Sequence, residues 1–272
     1  MLFRSLTIKL YGSLTQFGDS QLGGRNLESI SAVFPAYNDG GTIGELVEKI
    51  HQLLETTGRD YEIVVVDDGS KDNTAAVLQS CQAKFGSRLR VVTHPQNRGY
   101  GAALRSGFKA ARKELVFYTD GDGQYDPSEL SLLLPKMTSS IDLVNGYKIK
   151  RHDPLYRIVV GKAYNRFVRL AFRLQVRDVD CDFRLVRREL LNQCNLESDS
   201  GVICVEMVHK LQRLGCRLTE VPVHHYPRLV GSSQFFRFRA VTETLLQLFH
   251  LFRRRSAPIG PLPQEVPGTR LK

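Results

Sequence analysis

Short apolar runs alternate with helical patterns over the first half of the chain. Between Ile43 and Leu54 apolar residues recur at helical spacing, after a capping box at Thr42–Glu45. Runs rich in β-branched and aromatic residues predict five strands, at Ile30–Phe34, Tyr61–Val66, Leu89–Thr93, Leu115–Thr119 and Ile141–Asn145. This alternation is typical of βαβ units, so we predict an α/β domain with a mostly parallel sheet flanked by helices.

The second half of the chain has a more helical pattern. Strand-like segments occur at Phe183–Val186 and Arg217–Val223, and helical segments at Leu155–Leu174, Ile203–Leu214 and Phe238–Phe252. The last helix combines an apolar stripe with flanking basic residues, which is typical of a helix lying in a membrane surface. Packing on the domain's own core explains the stripe equally well. No apolar run approaches the roughly 20 residues that a membrane-spanning helix needs.

Polar clusters follow four successive predicted strands. Ligands of open α/β sheets bind outside the carboxyl ends of the strands, and these ends meet along one edge. The four clusters therefore predict one composite site. They are Pro35-Ala36-Tyr37-Asn38-Asp39, Asp67-Asp68-Gly69-Ser70, Asn97-Arg98-Gly99-Tyr100-Gly101 and Asp120-Gly121-Asp122-Gly123-Gln124.

The fourth cluster is a candidate metal site. Asp120 and Asp122 are separated by one residue and can both reach one cation. Hard oxygen ligands in small number suit Mg2+ or Mn2+ held mainly by the phosphates of a substrate. A solvated turn is the alternative, since Asp and Gly are common turn residues. Two carboxylates at the mouth of a buried sheet repel each other unless a cation lies between them, which favours the metal.

The second and third clusters are candidates for binding a nucleotide. Asp67 and Asp68 end an apolar strand, and a carboxylate there can accept hydrogen bonds from a base or a ribose. A simple turn explains the two aspartates equally well. The segment 97–103 opens a helix with two glycines, so that its backbone and its positive end suit a diphosphate.

The charge of the chain calls for an anionic partner. Lys and Arg number 38 against 28 Asp and Glu, a net charge of +10. Between Lys148 and Arg188, 12 basic residues against four acidic ones give +8, and the segment 237–255 carries +4. A lipid phosphate and an anionic membrane surface are favoured, and nucleic acid is not, because the last helix is too apolar for a recognition element. The five cysteines lack metal or disulfide spacing and favour a reducing compartment.

The motifs together resemble glycosyltransferase family 2, and within it the polyprenyl-phosphate branch typified by dolichyl-phosphate mannose synthase. The resemblance spans Ser29 to Phe236 and implies a GT-A fold on a Rossmann-like sheet. It rests on several motifs in the expected order. These are Pro35–Asp39, Asp67–Ser70, the segment from Asn97 to Ala102, the Asp-x-Asp-x-Gln motif at Asp120–Gln124, Glu220–Val223, Arg228–Gln234 and, less closely, Cys181–Arg184.

The resemblance implies an inverting glycosyltransferase and a role for each group of residues. A divalent cation, Mg2+ or Mn2+, is implied at Asp120, Asp122 and Gln124. A UDP- or GDP-linked sugar is implied at Pro35, Ala36, Tyr37, Asn38, Asp39, Asp67, Asp68, Arg98, Gly99, Gly101, Asp120, Gly121, Gln124 and Arg228. The acceptor is expected at Lys148, Arg157, Lys162, Arg184 and Ser233. The catalytic candidates are Asp122, Asp180, Asp182 and Arg228.

The sequence leaves two kinds of acceptor open, a lipid phosphate and a hydroxyl group. A polyprenyl phosphate is already ionised, whereas a soluble or polysaccharide hydroxyl needs a base, for which Asp180 and Asp182 are the candidates. Asp182 and Gln234 stand where the family usually has Gly and often has Lys, so the acceptor is less defined than the donor. A non-catalytic nucleotide-binding domain does not explain the intact Asp120 and Asp122. A dehydrogenase is excluded because no Gly-x-Gly-x-x-Gly follows the first strand.

We expect the chain to divide into four segments. We also expect the protein to act at the cytoplasmic face of a membrane. The protein would be held there peripherally by an anionic surface. The two membrane-spanning helices that many family members append are not found in the sequence, and a membrane-embedded subunit in their place is left open. The segments are a disordered extension at 1–28, for which a targeting role is open, a GT-A domain at 29–236 (29–147 for the nucleotide sugar, 148–236 for the acceptor), an amphipathic interfacial helix at 237–255 and a disordered tail at 256–272.

Overall fold

A computed structural model describes residues 27–149, 155–227 and 238–256, with side chains from residue 158 in the second range and from residue 244 in the third. Almost all of the two segments expected to be disordered therefore lie outside the described residues. So do Arg228, Ser233 and the side chain of Arg157. Within these ranges, no helix is both long enough and apolar enough to cross a membrane.

Seven strands form one sheet in the described part of the chain. They are β1 Ile30–Ala36, β2 Tyr61–Asp67, β3 Leu89–Thr93, β4 Leu115–Thr119, β5 Leu143–Lys148, β6 Phe183–Arg187 and β7 Leu218–Val223. Their order across the sheet is β3-β2-β1-β4-β6-β5-β7. The mostly parallel sheet is confirmed, with one exception. Strand β6 lies between β4 and β5 and runs antiparallel to both.

The predicted strands are confirmed in position and differ slightly in length. Strands β3 and β4 have the expected ends, whereas β1 and β2 run further, to Ala36 and Asp67, which are paired with each other in the parallel ladder. Strand β5 starts two residues later than expected and continues to Lys148, which is paired with Val223 of β7. Backbone pairing sets these ends, and it does not require an apolar side chain.

Helices cover both faces of the sheet. They are α1 Ile43–Thr56, α2 Thr74–Phe85, α3 Tyr100–Ala110, α4 Leu130–Leu133, α5 Leu155–Phe172, α6 Arg188–Gln193, α7 Val202–Arg213 and α8 Phe238–Arg254. Alternate residues of β1 face opposite sides, so that Phe34 packs with α1, α2 and α4 while Val33 packs with α3, α6 and α7. Helices α5 and α8 join α7 in a third apolar cluster, which includes Phe172, Val205 and Leu248.

The chain before α4 and the chain before α1 are capped differently. The Asp126 carboxylate accepts a hydrogen bond from the Ser128 amide at 3.0 Å in the turn that leads into α4. Thr42 stands before α1, but its hydroxyl makes no cap and donates instead to the carbonyl oxygen of Gly121 at 2.8 Å. The capping box is thus wrong in detail. A hydroxyl can donate as well as accept, and this one ties α1 to the loop after β4.

Candidate active site

The loops after β1, β2 and β4 are tied together at the carboxyl edge of the sheet. The amide of Asn38 donates to the hydroxyl of Ser70 at 3.0 Å, and the Asn38 side chain accepts from the amide of Lys71 at 2.7 Å. The Asp39 carboxylate accepts from the amide of Tyr37 at 2.9 Å. Asn38 has a φ of 58°, a left-handed conformation that Asn tolerates better than most residues. Three of the four predicted clusters thus form one site.

The loop after β4 passes very close to the end of β1. A Cβ atom on Gly121 would lie 2.5 Å from the carbonyl oxygen of Pro35 and 3.5 Å from the Cα atom of Ala36. Only a residue without a side chain fits there, so Gly121 allows Asp120 and Asp122 to come close to the first cluster. This explains a glycine between the two aspartates.

Three carboxylates meet at this edge, and we call Asp120, Asp122 and Asp182 the acidic centre. Thr119 of β4 is paired with Phe183 of β6, so Asp120 and Asp182 extend two neighbouring strands by one residue each. Burial raises the pKa of Asp120 well above its usual range, and the charges of Asp182 and Asp122 raise it further. A proton or a bound cation relieves the repulsion in such a group.

Several contacts hold Asp120 and Asp122 in place. The Tyr100 hydroxyl, at the start of α3, donates to Asp120 Oδ1 at 2.6 Å. The Gln124 amide donates to Asp122 Oδ1 at 3.0 Å. Lys148 is near enough for its positive charge to lower the pKa of Asp120, and its Nζ donates to the carbonyl oxygen of Asp180 at 2.7 Å. Lys148 therefore lies at the acidic centre, where the sequence had suggested an acceptor ligand.

Asp182 is held by side chains from two other elements. The thiol of Cys204, on α7, donates to Asp182 Oδ1 at 2.8 Å, and Arg184 Nη1 lies 3.3 Å from the same oxygen. Arg184 is fully buried. Its guanidinium also donates to Asn145 Oδ1 at 2.6 Å, to the Val179 carbonyl oxygen at 2.5 Å and to the Tyr118 hydroxyl.

These contacts correct the role expected for Arg184. A fully buried guanidinium with four protein partners is not available to an acceptor, so it positions Asp182 and does not bind substrate. The other acceptor candidates are spread along α5. Lys162 is exposed on that helix, and the side chain of Arg157 lies outside the described residues.

The carboxylates of Asp67 and Asp68 form hydrogen bonds with residues of the surrounding loops. Both aspartates are buried. Asp68 Oδ1 accepts from His94 Nδ1 at 2.6 Å and from the Arg98 amide at 2.9 Å, and Asp68 Oδ2 accepts from the Gly99 amide at 2.9 Å. Asp67 Oδ1 accepts from the amide of Ser70 at 2.9 Å. Asp68 thus holds the third cluster against the end of β2.

The start of α3 does not have the free amides expected for a diphosphate. The Gly101 amide donates to the carbonyl oxygen of Asp199 at 2.9 Å, and the Arg98 and Gly99 amides are bonded to Asp68. A Cβ atom on Gly101 would lie 2.3 Å from the carbonyl oxygen of Ser198. The glycines therefore allow the segment before α7 to pack on α3, and three of the amides expected for a diphosphate are bonded within the protein.

Gln124 contacts the chain that follows β7. Its Nε2 donates to the carbonyl oxygen of Tyr226 at 3.1 Å, and the Tyr226 amide donates to the Gln124 carbonyl oxygen at 2.8 Å. Gln124 was expected as a metal ligand. In this structure it connects the acidic centre to the segment that leads to Arg228, which lies outside the described residues.

The donor set of the acidic centre fits a hard divalent cation bound chiefly by a substrate. Among the residues that the structure describes, no group of three or more His, Cys, Asp or Glu side chains could hold a metal ion by itself. Asp120 and Asp122 offer carboxylate oxygens, and Mg2+ or Mn2+ commonly takes one or two of these together with phosphate oxygens. Burial and neighbouring charges raise the pKa of Asp120 and so disfavour its ionised form, which a bound cation would stabilise.

Sequence patterns placed Tyr100 in the third cluster without giving its hydroxyl a role, and they did not identify Cys204 as a site residue. Cys204 lies on the buried face of α7, where helical periodicity marks core positions. No local signal distinguishes such residues from ordinary core, because only the tertiary contact gives them a carboxylate neighbour.

Known proteins resemble this chain in sequence. A profile described as Glycosyl transferase family 2 matches residues 31–194. Undecaprenyl-phosphate 4-deoxy-4-formamido-L-arabinose transferase of Klebsiella pneumoniae is 28% identical over 245 residues, which cover 86% of this chain and 74% of the relative.

Solved structures share the GT-A fold. Glucosyl-3-phosphoglycerate synthase from Mycobacterium tuberculosis, in complex with Mn2+, uridine diphosphate and phosphoglyceric acid, superposes with a TM-score of 0.64 at 22% identity, over 88% of this chain and 81% of that chain. The complex with Mg2+ and uridine diphosphate has a TM-score of 0.62 at 22% identity, over 81% and 79%. Since the family profile spans more than half of the sequence, the chain belongs to glycosyl transferase family 2 and is a glycosyltransferase.

Proposed function

We propose that this glycosyltransferase moves a sugar from a UDP- or GDP-linked donor to a polyprenyl phosphate, with inversion at carbon one. The observation that carries the proposal is the acidic centre at the carboxyl edge of the sheet. The undecaprenyl-phosphate transferase of K. pneumoniae supports a lipid phosphate as the acceptor. The M. tuberculosis complexes, which contain uridine diphosphate with Mn2+ or Mg2+, are consistent with the donor and the cation.

Asp120 and Asp122 are proposed to hold Mg2+ or Mn2+ together with the diphosphate of the donor. The cation stabilises the negative charge that collects on the departing nucleoside diphosphate. The protein's part is to keep both carboxylates fixed, through the Tyr100 hydroxyl on Asp120 and the Gln124 amide on Asp122. Arg228 is proposed to add positive charge, and Gln124 supports the segment that carries it.

The nucleoside is proposed to bind against the loops after β1 and β2. The residues that would line this site are those of Pro35–Asp39 together with Asp67. Asn38 joins the two loops, so the site is formed before the donor arrives. The start of α3 supports this site without lining it. The Gly99 amide is bonded to Asp68 at the end of β2, and the Gly101 amide is bonded to the carbonyl oxygen of Asp199.

A lipid phosphate suits the charge near the acidic centre. Lys148 brings an ammonium group next to Asp120, at the point where an acceptor would meet the donor sugar. A phosphate monoester is ionised at pH 7, so its oxygen can bond to carbon one while the bond to the diphosphate breaks, with no base required. Basic residues of the acceptor half, Arg157 and Lys162 among them, would hold this phosphate and the lipid behind it.

A hydroxyl acceptor is the second candidate, and the position of Asp182 favours it. This carboxylate lies beside Asp120 and is oriented by Cys204 and Arg184. Asp182 would take the proton that a hydroxyl loses as it attacks. Asp180 is the other candidate for this role.

The place of action follows from the two substrates. A water-soluble donor and a lipid acceptor meet at a membrane surface, and we propose that the enzyme works peripherally on the cytoplasmic face. The five cysteines are all free, as expected for a protein of a reducing compartment.

A transfer assay tests the proposed function. Radiolabelled GDP-mannose, UDP-glucose and UDP-N-acetylglucosamine are each combined with undecaprenyl phosphate, dolichyl phosphate or soluble sugars, with and without Mn2+. Label in the organic phase that depends on a polyprenyl phosphate supports the proposal. Label that appears only on a soluble sugar establishes the second candidate, and that activity should then be lost in Asp182→Asn.

A further inference from the structure

Two helices on the outside of the domain expose large apolar side chains. The set is Val159, Val160, Phe167, Leu170, Leu245, Leu246, Phe249 and Phe252, and we call it the outer apolar surface. All but Phe252 are more than half exposed. Single exposed apolar residues are ordinary, but a set of eight on two neighbouring helices is typical of an interaction surface.

Helix α5 has three distinct stripes. Val168 and Phe172 are buried against the domain. Val160, Phe167 and Leu170 are exposed and follow one another at helical spacing, so they form an apolar stripe. A basic stripe runs beside it, and its exposed members are Lys162, Arg166 and Arg169. An apolar stripe next to a basic one is the composition of a helix that lies in a lipid surface.

Helix α8 contributes to the same surface. The rings of Phe172 on α5 and Phe252 on α8 are 5.9 Å apart, so the two helices are in contact. Leu248 is buried in the third apolar cluster, while Leu245 and Phe249 on another face of α8 are exposed. Packing on the domain's own core therefore accounts for one face of this helix, and it leaves the apolar side chains of another face uncovered.

The inner side of α5 connects this surface to the active site. Tyr164 packs against the third apolar cluster, on the inner side of α5. Asn165 Nδ2 donates to the carbonyl oxygen of Arg177 at 2.8 Å, in the segment that leads to Asp182. A lipid held by the outer stripes of α5 is thus one helix away from the acidic centre.

We propose that the outer apolar surface docks on an anionic lipid bilayer through α5 and α8 together. The apolar side chains would enter the boundary between headgroups and acyl chains, and the basic stripe of α5, with Arg253 and Arg254 of α8, would contact lipid phosphates. Charge favours lipid over a second copy of this chain, since two copies would bring like-charged stripes together. The proposal deepens the proposed function by naming where the lipid side of the reaction is held.

Sedimentation with vesicles, in the absence of donor, acceptor and metal, tests the surface alone. Full-length protein is mixed with phosphatidylcholine vesicles with or without phosphatidylglycerol. We expect Phe167→Ser with Leu170→Ser, and separately Leu245→Ser with Phe249→Ser, to lower the bound-to-free ratio roughly tenfold or more. Arg166→Gln with Arg169→Gln should lower binding roughly tenfold, on vesicles with phosphatidylglycerol only. Leu132→Ser, at an exposed leucine of α4, is the matched control and should bind as wild type.

Each outcome has a consequence. Unchanged vesicle binding in both apolar double variants overturns the proposal. So does a wild-type protein that self-associates through these residues in analytical ultracentrifugation and does not bind vesicles. Circular dichroism checks that the variants are folded. Transfer to a short, water-soluble polyprenyl phosphate should survive in the two apolar double variants. Wild-type protein that binds vesicles but transfers no sugar to any polyprenyl phosphate contradicts the proposed function and leaves the docking surface standing.

Discussion

The carboxyl edge of the sheet and the outer apolar surface differ in how their side chains are held. At the edge, the two oxygens of Asp68 receive three hydrogen bonds, and the buried Arg184 has four partners. On the outer surface, Phe167 and Phe249 lie in the open, with only the inner faces of their helices packed. The edge is therefore built before any ligand binds, whereas the outer surface leaves most of its apolar area uncovered.

The largest effect is expected at the acidic centre. Asp122→Asn removes one charge and keeps the size of the side chain, so the protein should fold while kcat falls on the order of a hundredfold or more. The measurement is sugar transfer over a titration of Mn2+, with a chelator to remove metal from the wild type. Asp60→Asn, at the opposite edge of the sheet, is the control and should retain activity. Full activity in Asp122→Asn would show that the metal assignment is wrong.

The next effect is on folding and concerns the buried guanidinium. Arg184→Met leaves Asp182 without its ion pair in a buried place, and we expect the free energy of unfolding to fall by about 3 kcal/mol. Urea unfolding measures it. Arg177→Met removes an exposed arginine that pairs with Glu220, and should change stability by less than about 1 kcal/mol. Equal losses in the two variants would remove the distinction between the rigid edge and the surface.

A smaller loss of stability is expected where α3 meets the segment before α7. Gly101→Ala would place a Cβ atom 2.3 Å from the Ser198 carbonyl oxygen, and the backbone must move, at a cost of about 1–3 kcal/mol. Gly44→Ala is the milder control, since its nearest neighbour is a side-chain methyl group of Val77 at 3.0 Å and not backbone, and alanine favours the helix. Thermal unfolding compares them. If Gly101→Ala is as stable as wild type, the packing explanation for this glycine fails.

The smallest effect is expected at the hydroxyl that positions Asp120. Tyr100→Phe removes one hydrogen bond to the carboxylate, so the Mn2+ concentration for half-maximal activity should rise about five- to tenfold, with little change in kcat at saturating Mn2+. Tyr61→Phe is the matched control, because the Tyr61 hydroxyl also donates to a carboxylate, that of Glu55, away from the site. A shift of the same size in both variants would mean that Tyr100 acts through general stability.

Much of the site could be predicted because it depends on local patterns. The apolar runs located the strands within two residues, and the polar clusters that follow β1, β2 and β4 do meet at one edge. The pair Asp120 and Asp122 was recognised by its spacing and by its place after a strand. These features need only the knowledge that parallel strands end at the same side of a sheet.

The expectations that the structure does not support share one cause, which is competition for hydrogen bonds. The amides of the third cluster suited a diphosphate, but Asp68 and the Asp199 carbonyl take them. Arg184 suited an acceptor phosphate, but its own domain surrounds it. A sequence motif shows which hydrogen-bonding groups are present. It does not show which of them are already bonded to other parts of the folded chain.

Periodicity and turn chemistry were sufficient for the α/β class, the strand positions and the aspartates of the metal site, because each arises from residues a few positions apart. The insertion of β6 between β4 and β5, which brings Asp182 beside Asp120, depends on residues some sixty positions apart. So does the exposure of the apolar stripe of α5, since the same stripe would be core if another helix covered it. Long-range packing settles such features, since burial and partner choice belong to the folded chain as a whole.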